Sequence, residues 1–311
     1  MLLKPKHAKC DDREELSKRH EVAGDAEEWF SWELLNEYQL SGVNFDFFVN
    51  WTSWTHGKIS NEFWVKRNVS EDEIKSVSAE VIQDLIYSCD SEEFVKDLAL
   101  LAKGSLKYKL FRESVDWANQ TDDQSPILSV DIDATGRVSA VRREKLGTLM
   151  RQIQILSGGT VGVGTKGLKY SYTNLECFLS KTDAAWPGDV DLILLDNEKK
   201  PIAILEFKKH NKHDEIEKHK FEVYYKKKRS DKRKYNRLAI LRDALGENIP
   251  FLVIYYPTRE EFDYILIDEV LGDVGNLYAG RDWRLDLPID KAGQSQLIGK
   301  IVEIIQDDEN N

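Results

Sequence analysis

PGDVDLILLDNEKKPIAILEFKKH, residues 187–210, is the stretch on which the reading of this chain turns. Two short apolar runs, VDLILLD (190–196) and IAILEF (202–207), flank the turn-forming NEKK (197–200). Runs of this length and composition read as buried strands rather than as an amphipathic helix. A hairpin centred between Glu198 and Lys199 sets Asp191 opposite Glu206. Strand side chains alternate, so Glu206 and Lys208 share one face, and Asp189 shares the face of Asp191. Carboxylates placed directly across a ladder repel each other. Charge beside a buried sheet is also costly unless it is paired or bound to metal. A divalent cation resolves the conflict, because magnesium takes one or two carboxylates and keeps waters for a substrate phosphate. A neighbouring lysine then orients or deprotonates the attacking water and offsets charge in the transition state. The expected chemistry is phosphodiester hydrolysis dependent on Mg²⁺ or Mn²⁺, with Asp191, Glu206 and Lys208 catalytic. The competing account is an exposed hairpin with a charged edge, which fits the apolar setting of ILEFKK poorly.

Outward from the hairpin, the chain after residue 137 reads as helix, strands, helix and strand, a mixed α/β domain. ILSVDID (127–133) reads as a strand, 138–156 as a helix, and TNLECFLS (173–180) as a short helix. A basic helical region spans about 212–246, PFLVIYYP (250–257) and FDYILIDEV (262–270) read as strands, and SQLIGKIVEII (295–305) as a closing helix. Toward the N-terminus the pattern gives helix at about 25–40 and strand or mixed structure over 43–67. Two further helices begin at Ser70, with Glu73 completing a capping box, and at Ser91, with a stop at Gly104. The polar NQTDDQSP (119–126) reads as a linker. It divides an accessory domain, 1–126, mostly helical or mixed, from a catalytic domain, 127–311.

PGDVD followed fifteen residues on by EFK resembles the PD-(D/E)xK, or restriction-endonuclease-like, nuclease superfamily. The resemblance covers roughly 138–256 and implies a central mixed sheet flanked by helices. It also implies Asp191 and Glu206 as metal ligands and Lys208 as the catalytic lysine, with Asp189 assisting. Many members add a carboxylate from the preceding helix, for which the candidates are Glu176 and, less favoured, Glu144. Glu176 equally reads as the capping-box partner of Thr173, and Glu144 in RREK as part of a solvated helix face.

The net charge of −11 argues against a general nucleic-acid coat, but the distribution is uneven. Residues 1–137 hold 16 Lys+Arg against 27 Asp+Glu, whereas 208–237 hold 13 basic and 5 acidic residues, beginning at Lys208 itself. Lys209, Lys220, Lys226, Lys227, Arg229 and Arg233 are therefore expected to meet phosphates. DNA is the favoured substrate. The acidic accessory domain is expected to bind a protein partner or to regulate, and homo-oligomerisation stays open. The alternatives are a catalytically inactive nucleic-acid-binding or assembly module of the same fold, and an RNA endonuclease. Restriction or phage defence follows only from analogy of fold.

Other signals are weaker. GVGTKG (162–167) lacks the strand-to-helix setting of a nucleotide loop and the Ser or Thr of a phosphate loop. His210 and His213 lack a partner pair at zinc spacing. The tryptophans at 29, 32, 51, 54 and 64 read as core rather than as a base-stacking surface. Cys10, Cys89 and Cys177 are too few and too scattered for a disulfide framework. No apolar run approaches the ~20 residues of a membrane span, and no signal peptide is read at the start, so the expected location is cytoplasmic.

Overall fold

The computed structural model describes residues 1–53, 56–70, 78–121, 123–227, 229–246 and 248–309, with backbone alone at 227, 229–231, 308 and 309. The strands in chain order are β1 (Leu2–Leu3), β2 (Ala8–Lys9), β3 (Ser41–Ser53), β4 (His56–Val69), β5 (Leu106–Phe111), β6 (Ile127–Ile132), β7 (Val138–Glu144), β8 (Tyr170–Ser171), β9 (Gly188–Leu195), β10 (Pro201–His210), β11 (Phe251–Pro257), β12 (Tyr264–Leu271) and β13 (Tyr278–Asp286). The helices are α1 (Trp32–Glu37), α2 (Ala79–Asp90), α3 (Glu92–Leu101), α4 (Leu146–Leu156), α5 (Asn174–Leu179), α6 (Phe221–Lys227), α7 (Arg229–Leu245) and α8 (Lys291–Glu309). The class is mixed α/β, as expected, with a large mixed sheet flanked by helices.

Two compact units result, but not the expected pair. Unit 1 comprises residues 1–17, 45–52 and 58–189; unit 2 comprises 18–44, 53–57 and 190–311. Position 126 is no boundary, because β6 starts at Ile127 and pairs antiparallel with β5. The described residues of NQTDDQSP thus lie between two neighbouring strands.

In unit 1, β1 lies antiparallel to β4, β4 parallel to β5, and β5, β6 and β7 run antiparallel in turn. Parallel strands need a crossover, and α2 and α3 supply the one between β4 and β5. Ser78 and Ser91 accept the backbone N–H groups of Val81 and Phe94, capping these helices. The expected start of the first of them, with Glu73 in its capping box, lies outside the described residues. The helix read over 138–156 is a strand followed by a helix: β7 pairs with β6 and ends that ladder, and α4 begins at Leu146. In the N-terminal region, the strand or mixed structure expected over 43–67 is two long strands, β3 and β4, of 13 and 14 residues. The core of unit 1 gathers Phe48, Trp64, Phe111, Trp117, Leu149, Ile153 and Trp186. Cys10 and Cys177 form a disulfide across 167 residues of chain. Such bonds persist in oxidising compartments, so the expectation of a cytoplasmic location is not carried forward.

In unit 2, β9 runs antiparallel to β10, β10 parallel to β11, and β11, β12 and β13 antiparallel in turn. The basic run after β10 becomes α6 and α7, the crossover that brings β11 back beside β10. Alternation divides the strand side chains. Leu192, Leu194, Ala203, Leu205 and Phe207 face a core with Trp29, Phe30, Leu35 and the α8 residues Ile298, Ile301 and Ile304. On the other face the Tyr235 ring of α7 packs against Phe251 of β11. Trp29 and Trp64 are core residues as expected, Trp32 is 55% exposed, and Trp54 lies outside the described residues.

Candidate active site

The hairpin adopts the expected register. Ala203, Ile204 and Leu205 pair with Leu194, Ile193 and Leu192, and a bulge between Pro201 and Ala203 absorbs the turn. Continuing this register by one residue sets Glu206 opposite Asp191. The Phe207 backbone N–H donates to Asp191 Oδ2 at 2.7 Å, which fixes that carboxylate against β10. Glu206 is completely buried. Its Oε1 lies 3.1 Å from Lys208 Nζ and 2.5 Å from Lys234 Nζ. The two acids and the lysine of the motif therefore share one face of unit 2, joined by a second lysine that the motif does not contain. The sequence reading misses Lys234; the helical spacing could have marked it, because Leu238 and Leu241, four and seven residues on, lie on the buried stripe of α7.

Beside this cluster lies a cavity of about 240 Å³ lined by Lys208, His210, His219, Tyr224, Tyr235 and Tyr255, among others. It opens at the carboxyl ends of the parallel pair β10 and β11, where ligands bind in open α/β sheets. Lys208 Nζ sits 5.5 Å from the Tyr235 ring centroid. His219 is held by Asp214, 2.8 Å from Nε2 to Oδ2, and by the Tyr224 hydroxyl, 3.0 Å from Nδ1. This carboxylate–imidazole pair is a second feature that the motif does not announce. His210 bonds through Nε2 to the Asp214 carbonyl, and burial lowers its pKa.

The expected phosphate contacts fare unevenly. Lys209 leaves the set: alternation turns it to the face opposite Lys208, where it pairs with Asp25 at 2.8 Å. Asp25 also accepts from the Tyr256 hydroxyl. Burial pushes the Asp25 pKa up, but these two partners outweigh it and hold the carboxyl below its ordinary value. Lys220 is engaged by Asp268 at 2.6 Å and Asp282 at 2.8 Å. Lys226 pairs with Glu222 one turn earlier at 2.8 Å. Arg233 is half-buried, which lowers its pKa. The side chains of Lys227 and Arg229 lie outside the described residues. Among the described candidates, Lys209, Lys220 and Lys226 are thus each neutralised by a carboxylate.

Glu176 and Asp189, the expected auxiliary ligands, belong to unit 1 and surround Lys66. Lys66 Nζ lies 2.7 Å from Asp46 Oδ1 and 2.8 Å from Glu176 Oε1. Glu176 completes the capping box of α5 with Thr173 as well. The charge of Asp189 acts on both Asp46 and Lys66. Burial pushes the Asp46 pKa up to about 7, with Glu176 and Asp189 adding to the rise and Lys66 opposing it. Burial works to lower the Lys66 pKa, but the surrounding carboxylates outweigh it and raise the value. In this structure Glu176 and Asp189 serve to neutralise a buried ammonium. Glu144 departs from its reading too: it is buried on β7 and takes the Lys109 ammonium at 2.7 Å. Among the described residues, no three His, Cys, Asp or Glu side chains are gathered to hold a metal ion.

No protein-family model matches the chain, and no curated protein matches it. A solved structure titled as that of a sex pheromone staph-cAM373 precursor aligns over 80% of this chain and 81% of its own, at 9% identity and a TM-score of 0.17. A likeness that slight carries no argument about fold or function. Among the described residues, no helix is long and apolar enough to cross a membrane.

Proposed function

We propose that this protein is a divalent-metal-dependent endonuclease acting on DNA, with Asp191, Glu206 and Lys208 as its catalytic set and a restriction-endonuclease-like core around them. One observation carries the reading: the acid of β9 comes into register with a fully buried carboxylate on β10, and a lysine two residues on lies 3.1 Å from that carboxylate. The order of antiparallel hairpin, helical crossover and parallel strand supports it further.

The donor set fits a hard cation, since two carboxylates on one face meet what Mg²⁺ or Mn²⁺ asks of a protein. Asp191 and Glu206 would hold the ion, which when bound supplies Lewis-acid stabilisation of a phosphoryl oxygen and a more acidic water. The protein's own part is to fix Asp191 through the Phe207 N–H and to set two ammonium groups beside Glu206. Lys208, at the cavity wall, is placed to offset negative charge on the phosphate. His219, its two ring nitrogens held by Asp214 and Tyr224, lines the same cavity as Lys208.

A second reading is favoured by the 2.5 Å contact of Lys234 with Glu206, which satisfies the carboxylate without metal. On that account the chain binds nucleic acid or assembles without cutting. Incubation of purified protein with supercoiled DNA and Mg²⁺ separates the two. Nicking or linearisation is expected, and Lys208→Ala should slow it about 10²–10³-fold with the fold retained by circular dichroism. No cleavage of DNA or RNA by the wild type, or equal cleavage by the variant, refutes the proposal. Cleavage confined to RNA would keep the site and change the substrate.

A further inference from the structure

A separate cavity lies wholly within unit 1, between β6, β7 and the start of α4, with a volume of about 530 Å³. Five cationic side chains line it, Lys107, Arg142, Arg143, Lys145 and Arg151, against one carboxylate, Glu144. In a chain of net charge −11 this is a pronounced local reversal.

The floor is rigid. Fully buried Lys109 donates to Glu144 Oε2 at 2.7 Å, Ser129 Oγ at 3.0 Å and Gln152 Oε1 at 3.1 Å. Gln152 in turn donates to Glu62, which also takes Lys107 at 2.7 Å. Since Lys109 already neutralises Glu144, the floor contributes no net negative charge to oppose an anion. The rim is different. Arg142 pairs with Asp131, but Lys145 and Arg151 are exposed and make no ion pair among the described residues. Both line the cavity, Lys145 from the N-cap and Arg151 from the second turn of α4. Two such cations on a cavity of this volume, with further arginines beside them, suit a ligand carrying two or more phosphate groups. Lys145 is also the N-cap of α4, with no side chain capping the helix, so the backbone N–H groups of the first turn add their partial positive charge at the same mouth.

We propose that unit 1 binds a ligand bearing more than one phosphate group in this cavity, with Lys145 and Arg151 as its contacts. Such a ligand is either a nucleoside polyphosphate or a stretch of single-stranded nucleic acid. The site shares no lining residue with the cavity beside Lys208 and does not depend on catalysis there.

The test is binding by the full chain, in EDTA and at low salt, of ATP by calorimetry and of a fluorescein-labelled single-stranded 12-mer by anisotropy. One or both should bind, and Lys145→Ala/Arg151→Ala should weaken that binding at least tenfold, whereas Lys200→Ala, at an exposed turn, should not. ATP alone identifies a nucleotide site. Binding of the oligonucleotide, with a salt slope that falls by about 1.4 in the double variant, identifies a strand site. Should the double variant alter thermal stability, Arg151→Gln alone must still weaken binding. The proposal is overturned if neither probe binds, if the variants bind as the wild type does, or if sulfate competes as well as ATP.

Discussion

Two clusters of acids and lysines, one in each unit, solve the same electrostatic problem in opposite ways. In unit 1 a buried ammonium, Lys66, is ringed by carboxylates: Asp46 and Glu176 lie within 2.8 Å, and the charge of Asp189 adds to theirs. The Lys66 ammonium also lies over the rings of Tyr172 and Trp186. In unit 2 a buried carboxylate, Glu206, is met by two ammonium groups that are each about one-third exposed, at the edge of a cavity. The first arrangement is closed and holds excess negative charge, which proton uptake by Asp46 relieves. The second has its cations at a solvent-reaching wall, where an anionic substrate can meet them. A matching list of residue types therefore does not make a site. On the proposed reading, what sets the second cluster apart is which sign is buried and which remains within reach of solvent.

The largest effect expected from this contrast is on folding. Lys66→Ala leaves two buried carboxylates without their cation and should cost about 3–5 kcal/mol. Lys208→Ala, at a partly solvated lysine, should cost less than about 1 kcal/mol. Urea denaturation of the two variants reads the difference, and equal losses would erase the distinction between the clusters.

A smaller effect is expected in the pH dependence. The Asp46 pKa is raised on folding from 3.8 to about 7, so the folded state binds the proton more tightly than the unfolded one. Its contribution to stability is full below about pH 4 and is lost as pH rises through about 7. Asp46→Asn should flatten this part of the profile in denaturation midpoints measured from pH 4 to 8. An unchanged slope would place the titration elsewhere.

The smallest effect concerns Lys234, which competes for Glu206 with any cation. Lys234→Met should tighten Mn²⁺ binding by up to about tenfold, as expected for removal of one partly solvated like charge. Weaker binding in calorimetry would mean that Lys234 supports the site rather than blocks it.

Much of the candidate site was legible because a hairpin's register follows from its turn and the alternation of side chains is strict. The pairing of Asp191 with Glu206 needed only the centre between Glu198 and Lys199. The same alternation already excluded Lys209 from the face of Lys208, and the charge run obscured that. Lys234 was hidden in the same run, although its spacing from Leu238 and Leu241 marked it. The division into units was not legible, because residues 18–44 join unit 2 across more than a hundred intervening residues and no local pattern records such contacts. The Cys10–Cys177 bond is invisible for the same reason. β13 went unread because its polar sequence, YAGRDWRLD, has no buried residue to mark a face.

The most direct measurement is calorimetric titration of the full chain with Mn²⁺, alongside Asp191→Asn. One saturable site in the wild type, lost or weakened at least tenfold in the variant, is the result expected if the acids of β9 and β10 share a cation. No heat of binding in the wild type, or the same affinity in Asp191→Asn, would contradict the account and leave Glu206 as a buried carboxylate satisfied by lysines alone.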